Sequence, residues 1–320
     1  MKQYRIGIDV GGTNIKLGLF DEEMKLVDTL QALTDQQASL AEIMDLMVIL
    51  VQRLLSSNDV SAEAFSGMGA VFPSYIDYRN GIVLDTSYIP SLSNAPVRDM
   101  LENRLGVHVA LDNDANAAAL AEHRMGAGIG CNDMIYASLA TAIGGGLILN
   151  GKLYRGMHGM AGAIGHMFVS DSTGYPCLCG VTGCVQSISS GAQMAKYVTD
   201  RIKEGEDSSI LNYAGTLTNI DMEAVGKALQ GNDSLALEVV HRGAEYLGRM
   251  FHSLNQVLDI NVFIYGGGVT KLGSRFIDRM IAAYRHYSLI DQRYPARFIP
   301  SKLGDQASVY GAALLLTADE

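Results

Sequence analysis

The sequence predicts an α/β protein built as two lobes of similar plan. Its 320 residues are 48% hydrophobic and 18% charged, which is enough chain for two domains with separate cores. Predicted strands come first, alternating helices and strands follow, and the same order restarts in the second half of the chain. The repeated plan favours two related lobes over a single doubly wound sheet.

Three strands joined by tight turns open the first half. Apolar runs flank Gly11-Gly12 and the acidic turn at 21–23, a pattern that predicts an antiparallel meander. After the meander, the spacing of apolar residues predicts helices that alternate with strands. The predicted strands are Arg5–Val10, Ile15–Phe20, Lys25–Leu30, Ser66–Phe72 and Val107–Leu111, and the predicted helices are Gln37–Ser56, Val97–Leu105 and Asn116–Met125.

The second half again begins with strands and continues with helices. A stretch rich in cysteine and glycine, Gly156–Gly191, separates its first strands from its helices. The predicted strands are Met134–Ala140, Gly146–Leu149, Asn261–Tyr265 and Arg297–Ile299, and the predicted helices are Ala192–Lys203, Met222–Gln230, Leu235–Leu258, Arg275–Tyr287 and Ser308–Thr317.

The charge and the cysteine usage exclude several classes of protein. The net charge is −10 and the pI is about 5.1, which argues against binding to nucleic acid or to a membrane surface, since both require a basic face. Asp9 interrupts the first apolar run, so no secretory segment is predicted, and no stretch is long enough to span a bilayer. Three of the four cysteines lie within Cys177–Cys184. This crowding suits a metal ion in a reducing compartment, so we expect a cytoplasmic protein.

Three glycine-rich loops adjoin predicted strands and indicate nucleotide binding. Glycines let backbone amides approach a phosphate without obstruction by Cβ. Asp9 is placed to orient a metal-bound water, and Thr13 offers a hydroxyl to a phosphate oxygen. Taken alone, the first loop is better explained as an ordinary hairpin turn whose glycines adopt positive φ, because Gly-Gly turns are common; it is the presence of three such loops that favours a nucleotide. The residues expected to contact ATP or magnesium are Asp9, Gly11, Gly12, Thr13, Thr141, Gly144, Gly266, Gly267 and Gly268.

A cluster of polar residues, Asp112-Asn113-Asp114, lies between a predicted strand and an alanine-rich helix. Asp114 is interpreted as a general base that takes a proton from a substrate hydroxyl. The alternative is that Asp114 caps the helix, a common role for aspartate. Capping explains one side chain, whereas three polar residues in succession exceed what a cap requires.

A candidate metal site consists of His166, Cys177, Cys179 and Cys184. Three thiolates and one imidazole form a set that closes a structural tetrahedral zinc site. The alternative is a group of reduced, buried cysteines beside a core histidine. The Cys-x-Cys pair with a third cysteine in the same short loop favours zinc, and Cys131 is interpreted as a plain thiol.

These motifs resemble the ROK family (repressor, open reading frame, kinase), whose enzymes are bacterial sugar kinases. The resemblance runs nearly end to end, and the cysteine loop is its most specific mark. The motifs that carry it are Asp9–Thr13, Asn113–Ala118, Gly162–His166, Cys177–Cys184 and Gly266–Val269.

The resemblance implies an actin-like, ribonuclease-H-like ATPase fold of two lobes. It implies a small N-terminal lobe, residues 1–117, that is completed by a C-terminal helix at 305–320, and a large lobe, residues 118–304, that carries the zinc loop. It further implies ATP with Mg²⁺, a bound Zn²⁺ and a homodimer.

The resemblance also implies roles for single residues. Asp114 is the catalytic base and Asn113 contacts a sugar hydroxyl. His166 binds zinc through one ring nitrogen, while its other nitrogen faces the sugar, and Gln186 belongs to the same sugar pocket. The expected reaction is ATP-dependent phosphorylation of a hexose or hexose derivative at the 6-hydroxyl.

Several positions depart from the family pattern, most of them on the sugar side. The family usually has Glu at the positions of Ala163 and Gln186, Gly at Ser74 and Asn at Tyr88, and Gly where the second phosphate loop has Ala142. These changes leave open a protein that binds sugar or nucleotide with weakened catalysis and a regulatory role. A sugar-sensing repressor of the family is not expected, because such repressors carry an N-terminal helix-turn-helix and the first strand here begins by Arg5.

Overall fold

The computed structural model describes residues 2–86, 88–170, 174–177, 179–288 and 290–317. Contacts divide the chain into a first unit of Met1–Asp133, Gly146–Gly162 and Lys302–Glu320 and a second unit of Met134–Gly145 and Ala163–Ser301. The predicted boundary after residue 117 falls inside a helix, Asp114–Met125, that belongs wholly to the first unit. Leu178 of the cysteine motif and residues 318–320 of the predicted C-terminal segment lie outside the described residues.

The first unit is organised around a five-stranded mixed sheet with the order β3-β2-β1-β4-β7. Its three antiparallel strands form the predicted meander, and β4 and β7 extend the sheet in parallel with β1. The carboxyl ends of β1, β4 and β7 therefore meet at one edge. The strands are β1 (Tyr4–Val10), β2 (Asn14–Phe20), β3 (Leu26–Leu33), β4 (Phe65–Phe72) and β7 (Val109–Asn113).

Helices cover both faces of this sheet. The alternation of β1 buries Ile6, Ile8 and Val10 in one core with apolar residues of α1 and α2. The opposite face packs against α3 and α10. The helices are α1 (Leu40–Ser57), α2 (Val97–Leu105), α3 (Asp114–Met125) and α10 (Ala307–Leu314).

Helix α10 approaches its neighbours so closely that glycines are required. A Cβ at Gly7 would lie 2.0 Å from the carbonyl oxygen of Val309, and one at Gly69 would lie 1.8 Å from that of Ala312. Within α10 itself, a Cβ at Gly311 would lie 1.9 Å from the carbonyl oxygen of Ala117 in α3. The backbone of the C-terminal helix thus rests directly on the sheet and on α3.

Two local features differ from the predicted elements. Helix α1 begins at Leu40 and not at Gln37, because Ser39 forms a capping box with Glu42 that ends the preceding loop. A short hairpin, β5 (Tyr75–Asp77) and β6 (Ile82–Asp85), was not predicted, since its strands are too short to show alternation.

The second unit has parallel strands in the order β8-β11-β12 with helices packed around them. Strand β9 begins in this unit and ends in the first, where it pairs with β10. The strands are β8 (Met134–Leu139), β9 (Ile143–Leu149), β10 (Lys152–Tyr154), β11 (Val262–Gly266) and β12 (Arg297–Pro300), and the helices are α4 (Gln186–Ser189), α5 (Gly191–Lys203), α6 (Ile210–Ala214), α7 (Met222–Gln230), α8 (Ser234–Leu258) and α9 (Ser274–Tyr287). A search of the described helices finds none with the length and apolarity needed to cross a membrane.

The close packing of α10 predicts opposite effects for two helical glycines. Gly311→Ala should lower the free energy of unfolding by about 2 kcal/mol or more, because the new methyl group collides with the Ala117 carbonyl. Gly226→Ala in α7 should leave it unchanged or raise it by up to about 1 kcal/mol, because its Cβ would meet only Leu272, at 3.5 Å. Urea unfolding of both variants tests this, and equal stabilities would contradict the described packing of α10.

Candidate active site

In the first unit, the junction between β7 and α3 places Asn113 and Asp114 at the carboxyl edge of the sheet. Asn113 caps α3, since its Oδ1 accepts from the backbone N–H groups of Ala115 at 2.9 Å and Asn116 at 3.3 Å. Asp114 is the first helical residue, and its Oδ1 accepts from the Ala115 N–H at 2.8 Å. Capping therefore accounts for Asn113 and does not explain the carboxylate of Asp114.

The neighbouring carboxylate of Asp112 is buried and held on several sides. It accepts from Nε of Arg155 at 2.5 Å, from Nδ2 of Asn116 at 2.8 Å and from the N–H of Asn113 at 2.7 Å. The Arg155 guanidinium in turn lies over the ring of Tyr78, 4.7 Å from its centroid. The ion pair between Asp112 and Arg155, with the further hydrogen bonds to Asp112, fixes the end of β7 just before Asp114.

The environment of Asp114 strongly perturbs the acidity of its carboxyl group. Burial, followed by the negative charge of Asp9 and a smaller effect of Asp112, raises the pKa of Asp114 to about 7. The side chain is still partly accessible to solvent, so a substrate can reach it. A carboxylate whose pKa lies near the working pH has the property that a general base requires.

Asp9 lies at the end of β1, level with Asp112 across β4, because both residues pair with Val71. Its Oδ2 accepts from the hydroxyl of Ser308 in α10 at 2.7 Å. Burial raises the pKa of Asp9, while the Ser308 hydrogen bond and the charge of Lys16 act in the opposite direction. A cation bound with phosphates at this edge would find the oxygen ligands that magnesium prefers.

The loop after Asp9 is held in an open conformation by a neighbouring segment. Thr34 donates its hydroxyl to the Gly11 carbonyl at 2.8 Å and its N–H to the Thr13 carbonyl at 2.9 Å. The loop does connect the antiparallel strands β1 and β2, but neither Gly11 nor Gly12 adopts a positive φ, so a positive φ does not explain these glycines. Space is the reason at Gly12, where a Cβ would lie 2.8 Å from the ring of Tyr88.

Two of the unusual sugar-side positions lie close to Asn113 and Asp114. The Nδ2 of Asn113 donates to the Ser74 carbonyl at 3.1 Å. The hydroxyl of Ser74 is buried and has no hydrogen-bond partner in the described part of the chain, so it can bind a substrate hydroxyl. Burial and the charge of Asp114 raise the pKa of Tyr88, which shows that its phenol lies within the field of that carboxylate.

The second unit brings its two glycine loops together. The phosphate loop, residues 140–144, is anchored where the N–H of Gly191 donates to the Ala140 carbonyl at 2.9 Å, and Thr141 is exposed. Gly267 has a φ of 98°, and a Cβ there would lie 2.5 Å from the Leu139 carbonyl oxygen. The loop after β11 therefore packs on the end of β8, beside the phosphate loop.

The predicted nucleotide residues thus fall into two groups. Those of the first unit are Asp9, Gly11, Gly12 and Thr13, and those of the second are Thr141, Gly144, Gly266, Gly267 and Gly268.

The four predicted metal ligands converge in the second unit. One ligand atom from each of His166, Cys177, Cys179 and Cys184 lies within 4.8 Å of all the others. Nδ1 of His166 is 3.4 Å from Sγ of Cys177, and the Sγ atoms of Cys179 and Cys184 are 3.6 Å apart. Tetrahedral zinc requires about 3.6 Å between nitrogen and sulfur and about 3.8 Å between two sulfurs, from its usual bond lengths. The residues therefore fit zinc.

Without a metal, burial acts on the acidities of the candidate ligands. Burial lowers the pKa of His166, so its ring is neutral near pH 7 and able to bind a metal. Burial and the hydrogen bond with Cys179 raise the pKa of Cys184 to about 12. A bound metal would remove this penalty by stabilising the thiolates.

Gln186, predicted to face the sugar, has another partner. Its Oε1 accepts from the backbone N–H of Ile143 in the phosphate loop at 3.1 Å. Ala163 precedes the short turn Ile164–His166 and carries no polar atom in its side chain. In the second unit, the ring of His166 is therefore the polar group that we still consider for binding a sugar.

Sequence reasoning missed three residues that shape the site. Arg155, Ser308 and Thr34 hold Asp112, Asp9 and the first glycine loop, respectively. Each lies far along the chain from its partner, and no local pattern in the sequence links an arginine or a hydroxyl to a carboxylate so distant.

Comparisons with known proteins identify the family of this chain. The ROK family profile matches residues 5–319. A glucokinase from Halalkalibacterium halodurans is 33% identical over 321 residues, covering 99% of this chain and 96% of that enzyme. A xylose repressor from Caldicellulosiruptor bescii is 25% identical over 316 residues, covering 98% of this chain and 78% of the repressor.

The structural comparison is equally extensive. The crystal structure of a ROK family glucokinase from Streptomyces griseus in complex with glucose and AMPPNP matches with a TM-score of 0.83 at 31% identity, covering 98% of both chains. This match confirms the predicted two-lobed, actin-like ATPase fold. The chain therefore belongs to the ROK family, as the order of its glycine, acidic and cysteine motifs predicted.

Proposed function

We propose that Asp114 is the general base of an ATP-dependent sugar kinase that phosphorylates a hexose or hexose derivative at its 6-hydroxyl. The observation that carries this proposal is the carboxylate at the β7–α3 junction, whose pKa is raised to about 7 by burial and by Asp9. The chain is an ATP-dependent sugar kinase because its membership of the family extends over nearly its whole length. The identity of the base and of the phosphorylated hydroxyl is what we add here.

The proposed reaction is a direct transfer. Asp114 takes the proton of the sugar hydroxyl as its oxygen forms a bond to the γ-phosphorus of ATP. The bond from that phosphorus to the bridging oxygen breaks, and ADP leaves with the electron pair. Since such a transfer needs little covalent help from the protein, most of the rate enhancement comes from positioning and from neutralisation of charge.

The first unit supplies both an anionic edge and a polar sugar contact. Bound magnesium would neutralise charge on the phosphates, and we assign Asp9 to binding it through a water molecule. Asn113, which caps α3, and the Ser74 hydroxyl, which has no hydrogen-bond partner among the described residues, lie next to Asp114. We assign these two side chains to the recognition of sugar hydroxyls.

The second unit would contribute the other phosphate contacts and one sugar contact. Thr141 and the glycines of residues 266–268 are assigned to ATP. Zinc held by the four-ligand cluster would fix the ring of His166, whose second nitrogen is assigned to the sugar. A homodimer is part of the same proposal, because the family resemblance implies it.

A sugar sensor with little turnover is the second candidate function. It is favoured by the similarity to a full-length repressor and by Ala142 and Ala163, which replace residues usual in the family's kinases. Sugar-dependent release of ADP separates the two functions, because a sensor would bind sugar without releasing ADP.

The assignment of Asp114 predicts both a loss of turnover and a pH profile. Asp114→Asn should lower kcat by about 10²–10⁴-fold, the usual contribution of a general base. Because the base must be ionised, kcat/KM of the parent should fall about tenfold per pH unit below about 7 and level off above it. Steady-state kinetics across pH measure both effects.

A matched control is Asp99→Asn, which changes an exposed acid in α2 and should keep normal turnover. Near-normal turnover of Asp114→Asn, with both variants folded by circular dichroism, would contradict the assignment.

The metal centre predicts one zinc per chain that depends on the cluster. Cys179→Ser should lose the metal and lower the thermal midpoint, because metal binding is part of the folding free energy of such a site. Cys131→Ser should retain the metal, since Cys131 lies outside the four-ligand cluster. Elemental analysis of both variants decides the matter, and a parent protein purified without stoichiometric metal yet folded and active would refute it.

The sugar-side substitutions predict that glucose is not the preferred substrate. Ala163 offers no acceptor, and Oε1 of Gln186 is already engaged with Ile143. A sugar hydroxyl buried without its partner costs about 1–3 kcal/mol, or roughly one to two powers of ten in specificity. The measurement is kcat/KM across a panel of hexoses and N-acylhexosamines.

Ala163→Glu should raise kcat/KM for glucose, whereas Ala62→Glu, at an exposed position, should not. The prediction is wrong if glucose gives the highest kcat/KM of all sugars tested with the parent enzyme.

A further inference from the structure

The side chain of Gln186 is directed at the phosphate loop of its own unit. Its Oε1 accepts from the N–H of Ile143 at 3.1 Å, and Ile143 is buried. Gln186 begins α4, two residues after the metal ligand Cys184. Gln186 therefore connects the phosphate loop, through the N–H of Ile143, with the candidate metal centre, through the short backbone stretch to Cys184.

The turn that carries His166 lies against the same residue of the loop and against the Gln186 side chain. A Cβ at Gly165 would lie 2.1 Å from the carbonyl oxygen of Ile143 and 2.9 Å from Oε1 of Gln186. No other residue fits there without displacing backbone, so the turn lies directly against Ile143. Two segments that adjoin candidate metal ligands thus both contact Ile143 of the phosphate loop.

Helix α4 also connects this contact to the other end of the loop. The N–H of Ser190 donates to the Gln186 carbonyl at 3.3 Å, and the next residue, Gly191, donates its N–H to the Ala140 carbonyl at 2.9 Å. The stretch from Gln186 to Gly191 therefore fixes the phosphate loop near both of its ends. A displacement of Gln186 would release the end that contains Ile143.

We infer that Gln186 is a positioning residue for the nucleotide, which orders the phosphate loop through Ile143 and couples that loop to the metal centre. The inference rests on the proposed function only in taking ATP as the ligand of this loop. It differs from the sequence interpretation, in which Gln186 contacts the sugar, because the oxygen that would accept from a sugar hydroxyl is bound to the protein itself.

The inference predicts a loss of nucleotide affinity that the sugar does not share. Gln186→Met keeps the length of the side chain but removes the acceptor, which leaves the buried N–H of Ile143 unpaired. The Kd of AMPPNP, measured by calorimetry, should rise about tenfold, equivalent to about 1.4 kcal/mol, while KM for the sugar stays within about twofold. Gln186→Glu, which keeps an acceptor, should recover most of the loss.

Gln256→Met is the matched control, because Gln256 is exposed near the end of α8 and should bind AMPPNP as the parent does. If Gln186→Met binds AMPPNP like the parent and raises KM for the sugar, the side chain belongs to the sugar site and the inference is overturned. Because binding is measured without turnover, a protein that binds AMPPNP but phosphorylates no sugar would contradict the proposed function and still test Gln186.

The coupling to the metal centre has its own test in the same assay. Removal of zinc from the parent should raise the Kd of AMPPNP. Removal of zinc from Gln186→Met should raise that Kd little further, because this variant already lacks the hydrogen bond to Ile143. Circular dichroism checks that both metal-depleted proteins stay folded. An equal further loss of affinity in the two proteins would contradict a coupling through Gln186.

Discussion

The site depends on how three carboxylates are accommodated at one edge of the first unit's sheet. Strand register brings Asp9 and Asp112 level with each other, and the helix that follows β7 adds Asp114. Arg155 neutralises Asp112, and the Ser308 hydroxyl stabilises Asp9 in part. Burial still raises the pKa of Asp9, and burial together with the charge of Asp9 raises the pKa of Asp114 to about 7. The same burial and neighbouring charge that disfavour the ionised carboxylate give Asp114 the acidity required by the general-base role that we propose for it.

That edge is rigid because the C-terminal helix lies directly on the sheet and on α3. Gly7, Gly69 and Gly311 remove the side chains that would otherwise separate these backbones. The close approach brings α10 to the end of β1, where it supplies a hydroxyl to Asp9. The position of Asp9 thus depends on backbone packing between β1, near the start of the chain, and α10, near its end.

Sequence reasoning was reliable where the physical cause is local. Alternating apolar residues and glycine turns predicted the strands of the main sheets, and the crowded cysteines with His166 identified four residues that converge in space. It was less accurate at element boundaries, where a single cap such as Ser39 sets the first helical turn. It failed where the partner is remote: the pairing of Arg155 with Asp112, and that of Gln186 with Ile143, depend on the assembled fold. A polar side chain in a motif indicates that it binds something, but its neighbours in space decide what it binds.

The central claim is that burial and neighbouring charge keep Asp114 poised to accept a proton near neutral pH. The most direct test is a ¹³C NMR titration of the aspartate carboxyl carbons in the free protein, with the Asp114 signal assigned by its absence in Asp114→Asn. The account predicts that this carboxyl titrates with a midpoint near 7. A midpoint close to the ordinary aspartate value of 3.8 would contradict it.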